Sequence, residues 1–424
     1  MLPHNSTDQP IAGPLLGPTG TVAEEDPIFA LLQAYRQDER ADKVDLGIGV
    51  YRDSLNRSPV FQAVKAAEQW RVDTEADKAY IGPLGDQAFC SAITELALGK
   101  SLAAALDARL ACAQTPGGVG ALRLAFELLM QMNPDVCLWL SDSTWQVHRP
   151  IAEAAGTRQG TYAYYDAQQG RQGFDAMLAS LKAARPGDAV LLQASCHNPT
   201  GLDLSEDEWH RLTAFCQQRQ LLPIVDMAYH GLGNGLEPDA AGLRIMAQAM
   251  PELLLCYTCS KNFGLYRDRT GMVAALVQDE TLQPALVQQW MQLATRHYFT
   301  PPAHGAMLVR RILQDTDLRA VWQGELEEVH TRLRGVREAL YAALSKAVPQ
   351  RNWRFLQEGQ GMFALFPLSV SEIEHLQNAY GVYIVSNGRV NLSGFNDTNL
   401  PSVVAYIAAT VRALESGCYQ EQAC

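Results

Sequence analysis

The chain has 424 residues, 47% of them hydrophobic and 19% charged, with a formal net charge of −12. These values describe a globular protein large enough for a deep site and about two or three domains. They exclude a nucleic-acid surface, which needs a basic face, and no apolar run reaches the ~20 residues of a membrane helix.

Residues 1–25 have no basic start and no apolar core of signal-peptide length, and read as a flexible N-terminal arm. Nine cysteines, an odd number, are scattered from Cys90 to Cys424, which points to reduced thiols and a cytoplasmic location. The segment 26–59 precedes any sheet pattern. From about 112 to 277, short apolar runs alternate with amphipathic segments, the signature of strands joined by crossover helices. The expected strands are "VCLWLS" (136–141), "TYAYY" (161–165), "AVLLQAS" (189–195), "LLPIVD" (221–226), "LLLCYTC" (253–259) and "GMVAALV" (271–277). Several are apolar on both faces, as a covered parallel sheet requires. Helices are expected over 174–184 and 205–219, the second opening on a capping box of Ser205 and Glu208. Beyond about 320 come a long amphipathic stretch, 321–347, short strands near "GMFALF", "VYIV" and "RVNLS", and a last helix over 399–415. The expected fold class is α/β: a three-layer large domain, 60–320, with a mostly parallel sheet, plus a smaller α+β domain built from 26–59 and 321–424.

Chemistry gathers at the ends of the expected strands, where open α/β sheets bind ligands. "LGKS" at 98–101 fails as a nucleotide loop because Thr94 stands where its first glycine belongs, so it reads as a helix terminus. "TPGGVGALRL" is a glycine turn feeding a helix, whose amides and dipole suit a single phosphate. It is no dinucleotide fingerprint, since Arg123 occupies the place of the third glycine. "CHNPTG" puts Asn198 in an Asn-Pro turn. Asp226 closes an apolar strand, where a carboxylate must be paired with a cation or be very costly. "CSKNFGLYRDRTG" then places Lys261 after another apolar strand, with Arg269 eight residues on. Only seven of the 34 basic residues are lysines, and lysine, unlike arginine, becomes a nucleophile when burial strips its proton. Cys256 and Cys259 supply only half a structural zinc site and read as packing, so no metal is expected. A phosphate cradle, an amine, a buried carboxylate and Tyr229 together ask for a phosphorylated cofactor with a carbonyl and a basic ring nitrogen, and pyridoxal phosphate has these features.

The blocks "VDLGIGVYRD", "AYIGPLGD", "AQTPGGVGALRL", "CHNPTG", "VDMAYHGLGNGLEPDA", "SKNFGLYRDR", "TPPAHGA", "GMFALF" and "SNGRVNLSG", in this order, closely resemble the aspartate and aromatic amino acid aminotransferases. These are class I, fold type I enzymes that use pyridoxal phosphate, and the likeness runs from Asp26 to about Leu414. The resemblance implies that Lys261 holds the cofactor aldehyde and moves the substrate proton, that Asp226 partners the ring nitrogen, and that Asn198 and Tyr229 bond its phenolic oxygen. It makes Trp145 the stacking aromatic. It assigns the phosphate to Gly118, Val119, Thr258, Arg269 and to Tyr80 from a neighbouring subunit of a homodimer. Arg389 would grip the substrate α-carboxylate and Arg296, across the dimer, the distal one. Gly49, Phe363, Trp145 and Asn198 would face the substrate.

The sequence departs from that pattern at several places. Val119 replaces a threonine or serine, Thr258 a serine, Gln193 a histidine, Ser143 a proline and Leu232 a phenylalanine, and "RHYFTPP" is one residue short after Arg296. The expected reaction is amino transfer between an aromatic or dicarboxylic L-amino acid and a 2-oxo acid. The alternative is another carbanion reaction, elimination, oxidation or cyclisation, on a specialised amino acid. A regulatory protein retaining only the fold is a third reading, against which stands the lack of a helix-turn-helix pattern in the N-terminal arm.

Overall fold

The structure, a computed structural model, describes residues 27–167 and 169–415; the arm expected at 1–25 lies outside them. At its centre is a seven-stranded sheet in which Leu110–Pro116, Thr270–Leu276, Leu253–Thr258, Leu222–Met227, Ala189–Gln193, Cys137–Ser141 and Arg158–Tyr162 lie side by side in that order. Six strands run one way and Thr270–Leu276 runs against both of its neighbours. Every residue of Leu253–Thr258 and of Thr270–Leu276 is buried, which explains their unbroken apolar sequences. The two faces follow the period of two: Leu255, Tyr257, Met272 and Ala274 enter one core cluster, and Leu254, Cys256, Val273 and Ala275 the other. The Cys256 and Cys259 thiols are buried and free.

One strand is unexpected and one expected strand is shifted. Leu110–Pro116 is a full strand paired over seven residues with Thr270–Leu276, although "LACAQTP" carries few β-branched or aromatic residues to announce it. The strand expected at 161–165 instead spans Arg158–Tyr162, in register with Cys137–Ser141. The Tyr162 and Tyr164 hydroxyls donate inward to the Leu191 and Leu202 carbonyls, both at 2.7 Å. The helix Glu206–Arg219 has the expected capping box at Ser205 and Glu208.

A third core contains Leu46, Leu344, Trp353, Phe366, Val382, Val390 and Ile407. Val44–Asp45 pairs in parallel with Val382–Tyr383, and Phe363–Leu365 antiparallel with Arg389–Asn391. The helix Thr316–Ala347 joins this core to the sheet: Trp322, Leu326 and Leu333 pack in the sheet core, Leu340 and Leu344 in the third. Among the described residues no helix is long and apolar enough to cross a membrane.

Candidate active site

A cavity of about 180 Å³ opens at the carboxyl edge of the sheet, lined among others by Gly118, Val119, Trp145, Asn198, Tyr229 and Lys261. Topology explains the convergence. The strands ending at Pro116, Ser141, Gln193, Met227 and Thr258 deliver their following loops to one rim. The antiparallel strand brings its beginning to that rim, because Thr270 pairs with Pro116. Arg269, just before it, therefore lies beside the glycine turn.

The phosphate-suited end is compact. A Cβ on Gly117, whose φ is +71°, would fall 2.5 Å from Arg269 Nη2, and one on Gly118 3.2 Å from Thr258 Cβ. The left-handed backbone at 117 favours glycine, and a side chain there would also displace the Arg269 guanidinium. Arg269 itself holds a left-handed φ of 52° and donates to the Tyr266 carbonyl at 2.9 Å. Thr258 Oγ1 lies 3.0 Å from Ser260 Oγ.

At the opposite end Asp226, paired in register with Gln193 and Cys256, is 6% exposed. Its Oδ2 lies 3.0 Å from His148 Nε2, and His148 Nδ1 lies 2.7 Å from Thr144 Oγ1. His148 is fully buried, so the chain Thr144–His148–Asp226 aims one carboxylate into the cavity with its partner already supplied. Between the two ends, Asn198 Nδ2 donates to Tyr229 Oη at 3.2 Å. Gln193 grips the Asn198 backbone at both its N–H and C=O, at 2.8 and 3.0 Å. Asn198 Oδ1 is buried and has no hydrogen-bond partner among the described residues, which leaves an acceptor for a group in the cavity.

Lys261 ends in this cavity with Nζ 5.0 Å from the Tyr229 ring centre. Burial brings its pKa down to about 8; Arg269 and Arg389 push the same way and Asp226 opposes them. Burial raises the Tyr229 phenol, with Arg389 and the Asn198 hydrogen bond working against it. The lysine loop is fixed by Trp322, whose indole donates to the Asn262 carbonyl at 2.7 Å and whose ring stacks on Phe263.

Arg389, 3% exposed, lies over the Phe363 ring at 4.7 Å and donates to the Gly47 carbonyl at 2.7 Å. Phe363 stands edge-on to Tyr229 at 5.8 Å, and a Cβ on Gly49 would meet its ring at 3.2 Å. Trp145 stands edge-on to His148. The structure thus gathers Gly118, Val119, Trp145, Asn198, Asp226, Tyr229, Thr258, Lys261 and Arg269 in one cavity, with Gly49, Phe363 and Arg389 adjoining. It leaves two sequence-expected residues apart. Tyr80 is 81% exposed, and Arg296 is exposed on the last turn of the helix Gln283–His297.

His148 and Ser260 were missed by sequence reasoning. Ser260 adjoins Lys261 in the quoted motif; His148 lies three residues after Trp145, a helical spacing that signals little by itself. The donor set fits pyridoxal phosphate: a cation with helix-start amides for a phosphate, a carboxylate for a ring nitrogen, an amide and phenol between, and an amine.

The model for aminotransferase class I and II matches residues 41–407. The chain is 43% identical over 383 residues to the aromatic-amino-acid aminotransferase of Pseudomonas aeruginosa, covering 90% of this chain and 96% of that protein. It is 39% identical over 393 residues to the aspartate aminotransferase of Escherichia coli, covering 92% and 99%. An aromatic-amino-acid aminotransferase from Burkholderia pseudomallei, solved covalently bound to pyridoxal phosphate, matches with a TM-score of 0.89 at 35% identity, covering 92% and 98%.

Proposed function

The chain belongs to the class I and II aminotransferases, pyridoxal-phosphate-dependent transferases of amino groups, and on that premise we propose that it exchanges amino groups between aromatic or dicarboxylic L-amino acids and 2-oxo acids, with Lys261 as catalytic base. What supports this reading is the convergence of Lys261, Asp226, Asn198, Tyr229 and Arg269 on one cavity. The relatives' names supply the two substrate classes.

When bound, pyridoxal phosphate supplies an aldehyde that condenses with amines and a protonated ring that draws electrons from the substrate Cα. Gly118 and Val119 amides, Thr258 and Arg269 would hold its phosphate, and Trp145 its ring face. Asp226, backed by His148, would keep the proton on the ring nitrogen. The Tyr229 hydroxyl, and the Asn198 Nδ2 hydrogen not given to it, would donate to the phenolic oxygen, which lowers the cost of its negative charge. Lys261 Nζ, its pKa brought down to about 8 by burial, would take a proton from the substrate Cα and hold it for return within the cavity. Arg389 would orient the substrate by a two-pronged grip on its α-carboxylate.

The proposal includes a homodimer with shared sites. Tyr80 and Arg296 are exposed in the single chain, as residues reaching into a neighbour would be. It also includes cytoplasmic placement and a division into a cofactor-holding part, 60–320, and a smaller part, 26–59 with 321–424, for which the separate third core argues. The test is incubation of the purified protein with phenylalanine, tyrosine or aspartate and 2-oxoglutarate. Glutamate should form in step with the new 2-oxo acid; a 2-oxo acid without glutamate would refute amino transfer.

A further inference from the structure

The turn after Arg296 has a feature that the cavity chemistry leaves unused. Phe299 has a left-handed φ of 63° and is 56% exposed. A bulky residue rarely adopts that conformation, and backbone strain of this kind concentrates at functional sites. The turn is held on every side. Phe299 N–H donates to the Ala294 carbonyl at 3.0 Å, and Thr300 Oγ1 to the Gly82 carbonyl at 3.0 Å. Tyr298 Oη reaches the Gln114 carbonyl at 3.3 Å, and His297 Nε2 lies 2.8 Å from Glu127.

All this anchoring presents an aromatic ring to solvent. Among the described residues its one aromatic contact is Tyr80, edge-on at 5.6 Å, itself 81% exposed. Burial within the chain therefore returns little for the strain, and more than half of the residue's surface is left open to a contact from outside the chain. Arg296 is three residues away, so one short segment offers both a cation and an aromatic face. Those two groups match the two substrate classes: the cation suits a distal carboxylate, the ring an aryl side chain.

Starting from the shared-site reading above, we propose that Phe299 is a specificity-determining residue that acts in the neighbouring subunit's site, where its ring, backed by Tyr80, packs against an aromatic substrate side chain beside Arg296. One pinned turn then serves both classes, and the preference between them depends on the ring that the shortened segment holds outward.

Hybrid dimers of two differently tagged chains test this. In the first hybrid, Lys261→Ala is on one chain and Phe299→Ser on the other, so the one working lysine still receives the intact ring from its partner. Its ratio of kcat/KM for phenylalanine to that for aspartate should equal that of the unaltered enzyme. In the second hybrid both substitutions are on one chain, the working lysine receives no ring, and the ratio should fall on the order of tenfold. Equal ratios in the two hybrids, or a fall confined to the first, would overturn the inference. A fully active monomer by light scattering would refute the shared site itself, and the inference with it. Phe299→Gly removes the ring while suiting the left-handed backbone, so its melting temperature should be unchanged or higher. A ratio in that variant within about twofold of the unaltered enzyme would also overturn the assignment.

Discussion

The floor of the cavity and the turn that follows Arg296 are built on different principles. Asp226 and Asn198 are buried, held by strand register and by His148 and Gln193. Tyr80 and Phe299 stand exposed on irregular chain, and Arg296 is exposed on the last helical turn just before it. Groups that act on every substrate are best placed on strand ends, whose positions the ladder fixes. The groups proposed to meet the variable side chain lie at or beside a turn, where losing a single residue would re-aim a side chain without disturbing the sheet.

If that contrast holds, substitutions in the floor should abolish turnover for all substrates, and substitutions in the turn should only redistribute it. The largest effect is expected at Lys261. Lys261→Ala should lower glutamate formation from every donor by at least about a thousandfold, and near-normal turnover would remove the central assignment. Asp226→Ala follows, with a loss on the order of 10²- to 10³-fold that is again indifferent to donor; a donor-dependent loss would blur the division. Arg296→Ala should cost dicarboxylic substrates about 10- to 100-fold in kcat/KM and aromatic ones far less. Equal losses would show that the shortened segment has carried this arginine away from the pocket.

A smaller effect is expected from pH. The Lys261 pKa falls from 10.5 to about 8 on folding, so between these values the unfolded chain binds the extra proton. Stability of the cofactor-free protein should therefore rise with pH across that window, by at most ~3 kcal/mol, because the open cavity admits solvent. Urea titrations of the protein and of Lys261→Met measure this: the increment should vanish in the variant. The smallest effect lies far from the edge. Ser205→Ala removes the cap of Glu206–Arg219 and should cost about 1 kcal/mol of stability with kcat unchanged.

The floor was legible in the sequence because each of its groups is chemically out of place: a carboxylate closing the run "LLPIVD", a scarce lysine after "LLLCYTC", glycines ahead of a helix. His148 was not, since its contact with Asp226 spans 78 residues. Nor was Arg337, a buried guanidinium whose Nη2 donates to the carbonyls of Gln360 and Phe363, at 2.6 and 2.5 Å. It holds the turn that puts Phe363 under Arg389. The strand Leu110–Pro116 escaped because alanine, cysteine and glutamine leave no alternating pattern.

The sequence by itself determined the sheet's covered strands, the ends at which chemistry gathers, and the acid, amine and amide that gather there. These are properties of short runs, set by side-chain period and by the cost of burying charge. Only the tertiary structure decided which histidine backs Asp226, that an antiparallel strand brings Arg269 to the glycine turn, and that Phe299 faces outward. Those outcomes depend on strand register and on contacts between residues far apart in the chain, and no local pattern encodes them.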